Sequence, residues 1–109
     1  MATLNTKVKK YLEANSKVYK DELNNFVLQN DGSVDYIKSW NVSGLSKPTT
    51  AQLDALETQA QTYENNQQVI STRKKLYGSW ESQLEEIYDD GIDNWKARIA
   101  KVKSDNPKT

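Results

Sequence analysis

The chain has 109 residues with 15 basic and 15 acidic side chains, no histidine and no cysteine. That length supports one domain, or one compact lobe with a helical extension, and the missing cysteines exclude disulfides, Cys-ligated zinc, iron–sulfur clusters and thiol catalysis. The missing histidines remove the commonest general base and transition-metal ligand, and a net charge of zero gives no electrostatic case for nucleic acid or an anionic membrane.

Apolar residues make up 36% of the chain and the mean hydropathy is −0.88, both low for a free-standing globule. The large apolar groups are aromatic, three Trp, six Tyr and one Phe, and rings of about 150–250 Å² each substitute for many aliphatics. So thin a core is expected to gain stability from a partner or from self-association. No apolar run approaches the roughly 20 residues that span a bilayer. Met1 to Asn15 carries Lys7, Lys9 and Lys10 without the apolar stretch of a signal peptide. The expected setting is the cytoplasm of synthesis, or a larger particle.

Leu4, Val8, Tyr11 and Leu12 recur at helical spacing and predict a short amphipathic helix over Leu4 to Ala14, capped by Thr3 or Asn5. Between Phe26 and Trp40 the period changes. Phe26-Val27-Leu28 and Val34 to Trp40 flank Asp31-Gly32, a hairpin signal because glycine accepts the positive φ of the turn. With Asp31-Gly32 as a two-residue loop, Val27 faces Tyr36 and Phe26 faces Ile37. Val34, Tyr36, Lys38 and Trp40 then share one face, with Ile37 on the other. A three-residue loop with a bulge would shift this register.

Gly44 to Pro48 breaks the chain. Thr49 and Gln52 form a capping box, and Leu53, Leu56, Ala60, Tyr63, Gln67 and Ile70 continue at spacings of three and four. The pattern predicts one helix of about 25 residues, ~38 Å long, reaching Tyr77. Its apolar stripe has the narrow coiled-coil width, which fits either an intramolecular seam or a seam for self-association or a partner. Gly78-Ser79 ends this helix and caps the next, where Trp80, Leu84, Ile87 and Tyr88 form an apolar side that stops at Gly91. A last helix carries Ile92, Trp95, Ile99 and Val102 and closes at Pro107.

Residues 81 to 93 hold six acids and no base, whereas 96 to 108 hold five bases and one acid. Antiparallel packing would set these two faces together and fix register rather than add much stability. The expected fold is therefore α+β: a short N-terminal helix, a two-stranded antiparallel hairpin, a long helix and a C-terminal helical pair. Residues 1–48 form the helix-plus-hairpin part and 49–109 the helical part of one continuous small domain. Trp80, Leu84, Ile87, Tyr88, Trp95 and Ile99 are the predicted core of the helical pair.

Chemistry is sparse. Glu81, Glu85, Glu86, Asp89, Asp90 and Asp93 include i, i+4 carboxylate pairs of the kind that serve acid–base work or bind hard cations. They lack a cation-loop pattern, and a solvated acidic face matched to basic neighbours explains them. The four glycines make no phosphate-cradling motif, and Arg73-Lys74-Lys75 beside Tyr77 reads as a solvated cluster. Tyr36 and Trp40 fit a stacking platform or, more simply, a core covered by helices. No catalytic, metal-binding or cofactor-binding residue emerges. The candidate interface residues are Leu53, Leu56, Tyr63, Ile70, Tyr36 and Trp40, with the open hairpin edges as a route to strand addition.

Two stretches carry a resemblance. Residues 26 to 57, with Asn30-Asp31-Gly32, Tyr36-Ile37, Trp40-Asn41 and Pro48-Thr49 ahead of Leu53, resemble the XkdW family of small tailed-phage proteins. Residues 73 to 108 resemble a segment common at the C-terminus of small tailed-phage proteins, notably of marine phages. The residues that carry it are Tyr77, Ser79, Gln83-Leu84, Ile87-Tyr88, Gly91, Trp95-Lys96, Ile99, Val102-Lys103 and Pro107-Lys108. Gly78 departs from that pattern where Pro is usual, and Asp89 where His often stands. The resemblance implies a non-enzymatic phage structural or accessory protein, tail or tail-fibre associated, in the virion and in the host cytoplasm during assembly. It implies contacts with other tail or fibre proteins, with self-association open, and no cofactor, nucleic acid or membrane. An assembly chaperone not retained in the particle, and a phage-encoded binder of a host protein, are the alternatives.

Overall fold

The computed structural model describes all residues from Met1 to Thr109. Helices α1 (Leu4–Ala14) and α2 (Tyr19–Glu22) lead into strands β1 (Phe26–Asn30) and β2 (Asp35–Trp40). Helices α3 (Thr50–Asp54), α4 (Glu57–Tyr77), α5 (Trp80–Asp90) and α6 (Ile92–Asp105) follow. The chain is 61% helical and 10% strand, an α+β fold as the sequence predicts. Two compact units result, Met1–Glu64 and Asn65–Thr109. The division lies inside α4 rather than at Pro48, because Leu53 packs against the N-terminal core and Ala60 is itself fully buried.

The core of the first unit is Val8, Leu12, Phe26, Ile37 and Val42, with Leu4, Tyr19, Leu28, Trp40, Leu45 and Leu53 packed against it. Helix α1 contributes one apolar stripe, and the Thr3 hydroxyl, the first of the two expected caps, accepts from the Thr6 amide at 3.3 Å.

The hairpin forms where expected but in a different register. Pairing runs Asn30↔Asp35, Gln29↔Tyr36, Leu28↔Ile37, then Val27↔Ser39 and Phe26↔Trp40. The loop is Asp31 to Val34, not Asp31-Gly32 alone, although Gly32 does take a positive φ of 113°. Side chains hold this longer loop. The Asn30 side-chain Oδ1 accepts from the Gly32 amide at 2.7 Å and its Nδ2 donates to the Asp35 carboxylate at 2.7 Å. Asp31 accepts from the Tyr36 hydroxyl at 2.6 Å and from Gln29 at 2.7 Å. Farther along, Lys38 is the extra residue of a β-bulge. Ile37 and Trp40 are three apart and would point to opposite faces of a regular strand. The bulge lets both pack on the core with their partners Leu28 and Phe26, while Tyr36 and Lys38 stay exposed.

The Thr49–Gln52 capping box forms at 2.9 and 3.1 Å. The expected unbroken 25-residue helix does not, for the chain turns at Ala55-Leu56, where the Leu56 amide bonds the Leu53 carbonyl at 3.0 Å. This tighter step separates α3, which places Leu53 on the core, from α4, whose first two turns meet α1.

In the second unit Ser79 caps α5 by accepting from the Ser82 amide at 3.1 Å, and Gly91, at φ 87°, is the single residue between α5 and α6. Three contacts order α6 against the second half of α4. The Asn66 side chain bonds the Thr109 backbone, Arg73 donates to the Asn106 and Lys103 carbonyls, and Arg98 donates to the Leu76 and Tyr77 carbonyls. Partner numbers fall as α4 numbers rise, so α6 lies antiparallel to α4. Helix α6 also packs on α5, where Arg98 pairs with Glu86 and Trp95 bonds Gln83.

Candidate protein–protein interface

In the first unit, α4 presents Glu57, Ala60 and Glu64 to the start of α1. The Glu57 carboxylate accepts from the Ala2 amide at 2.9 and 3.1 Å, and Glu64 accepts from the Thr3 amide at 3.1 and 3.3 Å. Both acids complement the positive end of the α1 dipole. The Ala2 amide, helped by Lys7 at 3.6 Å, holds the Glu57 carboxyl below the usual carboxylate range. Between them Ala60, fully buried, carries only a methyl group.

Beside this contact lies a groove of about 650 Å³, lined in part by Lys9, Glu13, Tyr19 and Tyr63. Lys9 and Lys10 sit 5.0 and 4.7 Å from the Tyr63 ring centroid, and Lys9 also reaches Tyr19 at 5.6 Å. Lys9 donates to Glu13 at 2.8 Å, which raises the lysine's pKa and lowers the acid's. Lys9 is thus already paired within the unit.

The predicted interface residues do not form one surface. Trp40 is a core residue: its ring stacks on Phe26 at 5.6 Å, meets Tyr11 at 6.0 Å, and its indole N–H donates to the Leu45 carbonyl at 2.9 Å. Leu53 packs on the same core, Leu56 is half-buried, and Tyr63 is half-buried under the lysines. Tyr36 stays exposed, tied to Asp31 at the hairpin tip, and with Leu4, Ile37, Pro48 and Leu53 it borders a second groove of about 620 Å³. Ile70 lies in the other unit, half-buried on α4.

The predicted helical-pair core divides. Ile87, Trp95 and Ile99 are half-buried, and the Trp95 indole donates to Gln83 at 3.1 Å. Trp80, Leu84 and Tyr88 face outward, a correction with a geometric cause. Residues 83, 86 and 87 turn towards α6, and the row 80, 84, 88 lies around the α5 cylinder from them. Exposure along the row runs from 55% at Leu84 to 89% at Tyr88, and Leu76 on α4 and Ile92 on α6 are also exposed. No residue of 65–109 is buried.

Of the six acids between 81 and 93, Glu86 alone makes an ion pair, bidentate to Arg98 at 2.6 Å for each bond. They do not gather into a group able to hold a metal ion. Arg98 is the residue that sequence reasoning missed: it joins α5 to α6 and caps two carbonyls at the end of α4. Its only signal in sequence was a lone arginine among lysines, since planar bidentate pairing favours Arg. Arg98 holds the Glu86 carboxyl below its usual range. A lowered carboxylate pKa contributes stability above the unfolded value, about 4.3, that is lost as pH falls through the folded one. Glu86→Gln is therefore expected to lower the melting temperature of the 65–109 helices at pH 7, with the gap to the parent closing below about pH 4. Thermal melts by circular dichroism across that range check it, and a gap constant with pH sinks the pairing.

No helix of the chain is long and apolar enough to cross a membrane. No curated protein and no solved structure matches the chain. The family model described as XkdW protein matches residues 19–65, which contain the whole of the 26–57 stretch whose residues first carried the likeness. Across 19–65, the stretch that supplies α2, the hairpin, α3 and the start of α4, the chain is similar to the XkdW family.

Proposed function

We propose that the protein is a non-enzymatic structural or accessory component of a tailed-phage particle, associated with the tail or tail fibre and working through protein–protein contact. The observation that carries this reading is the exposed apolar row on α5, within a unit none of whose residues is fully buried, in a chain whose residues 19–65 are XkdW-like. Monomeric soluble proteins seldom leave contiguous apolar side chains in water unless another surface covers them. The first unit supplies the packed core, and the second supplies contact area.

Mass spectrometry of purified particles tests this. The protein is expected in the virion at a fixed copy number relative to the tail proteins. Absence from particles, together with loss of fibre assembly when its gene is deleted, overturns the virion role in favour of an assembly chaperone. Absence with normal assembly points to a host-directed binder.

A further inference from the structure

We infer that the α5 row is a docking site for an amphipathic helix of another protein whose apolar stripe is bordered by Lys or Arg. This names the partner chemistry for the contact role proposed above and rests on that reading. Trp80, Leu84 and Tyr88 follow the i, i+4 ridge that interdigitates with a second helix, and 80 to 88 spans about 12 Å of axis.

Charge selects the partner. Glu81 and Glu85 each precede the next residue of the row by three, so they are its surface neighbours, and Asp89 continues their line at the same interval of four. None of the three has an ion-pair partner in the chain, whereas the nearby Glu86 on the α6 side does. The row thus carries an unneutralised acidic border on its open side. Two copies laid ridge to ridge and antiparallel would bring their acidic borders together, so the charge pattern disfavours a second copy and favours basic flanks.

The test uses the full chain and two synthetic 21-residue helical peptides with the same leucine stripe, one bordered by lysines and one by glutamates. Titration followed by tryptophan emission and calorimetry is expected to show the Lys-bordered peptide binding at least about tenfold tighter, with a blue shift that Trp80→Ala removes. Tyr88→Ala weakens binding by a similar factor. The triple change Glu81→Lys/Glu85→Lys/Asp89→Lys reverses the preference. All these positions are solvent-facing, so far-UV circular dichroism should remain that of the parent.

Equal affinity for both peptides, or for neither, overturns the inference. So does concentration-dependent dimerisation by sedimentation that Leu84→Glu abolishes, because a second copy is then the occupant. A protein found in particles at fixed stoichiometry but indifferent to both peptides loses this inference and keeps the virion reading. Selective peptide binding by a protein absent from particles does the reverse.

Discussion

Trp40→Ala is expected to destabilise the N-terminal unit by about 3 kcal/mol, the lower end of the range for large aromatics, because Trp40 keeps part of its surface in water. Three losses coincide. The ring stacked on Phe26 and tilted against Tyr11 disappears, the Leu45 carbonyl loses its donor, and the 41–48 connection loses one of the two side-chain hydrogen bonds that hold its backbone. The other comes from the Tyr11 hydroxyl, which donates to the Ser46 carbonyl at 2.8 Å. Trp40→Phe keeps most of the stacking and forfeits the Leu45 bond, so about 1 kcal/mol is expected there. Urea unfolding followed by the amide signals of Val8, Leu12 and Ile37 reads the first unit separately from the second. If Trp40→Ala shifts the unfolding free energy by less than about 0.5 kcal/mol, a surface-like effect, Trp40 is not core and its candidacy as an interface residue revives.

Trp40 also shows what the sequence could and could not convey. Local chemistry was legible: the Thr3 cap, the Thr49–Gln52 box, Ser79 and Gly91 each act through backbone groups a few residues away. So was the existence of the hairpin, because Gly32 is the residue that tolerates the turn. Its register was not. Asn30, Asp31 and Asp35 close a four-residue loop through side-chain bonds that compete with the shorter Asp31-Gly32 turn, and alternation cannot reveal the bulge at Lys38. The same limit governs the long stripe. Leu53 to Ile70 keeps helical spacing straight through Ala55-Leu56, so periodicity gave no sign of the turn between α3 and α4.

The apolar residues of α5 were legible in composition, but not which of them stay exposed. Trp80, Leu84, Ile87 and Tyr88 mark one apolar side of α5, but an apolar side wider than a single neighbour can cover does not say which part that neighbour takes. Here α6 takes the part near Ile87, where Glu86 and Arg98 lock the approach, and 80, 84 and 88 remain outside. Long-range tethers were invisible for a related reason. Glu57 and Glu64 look like ordinary acids of a solvated helix until α1 is laid against them.

Leu12→Ala should have the largest effect of any single truncation in the chain, near the upper part of the ~2–5 kcal/mol range for buried leucine. Leu12 and Val8 are the largest fully buried side chains, and Leu12 sits where α1, the hairpin and the 41–48 connection converge. Walls contributed by three separate elements relax poorly, so a cavity there persists and its cost adds to the lost transfer energy. A unit of 64 residues, at ~0.05–0.15 kcal/mol per residue, has only about 3–10 kcal/mol of stability in total. Leu12→Ala therefore leaves the N-terminal unit marginal or unfolded at 37 °C. Leu84→Ala, on the exposed row of α5, removes the same atoms from a side chain already 55% in water and is expected to cost less than about 1 kcal/mol. Urea unfolding followed by amide signals of each leucine's own unit, Val8 and Ile37 for Leu12→Ala and Ile87 and Ile99 for Leu84→Ala, measures both. Equal stability losses for the two leucines would mean that the row on α5 is packed in solution as firmly as the N-terminal core, and would remove the physical basis for treating it as a surface awaiting a partner.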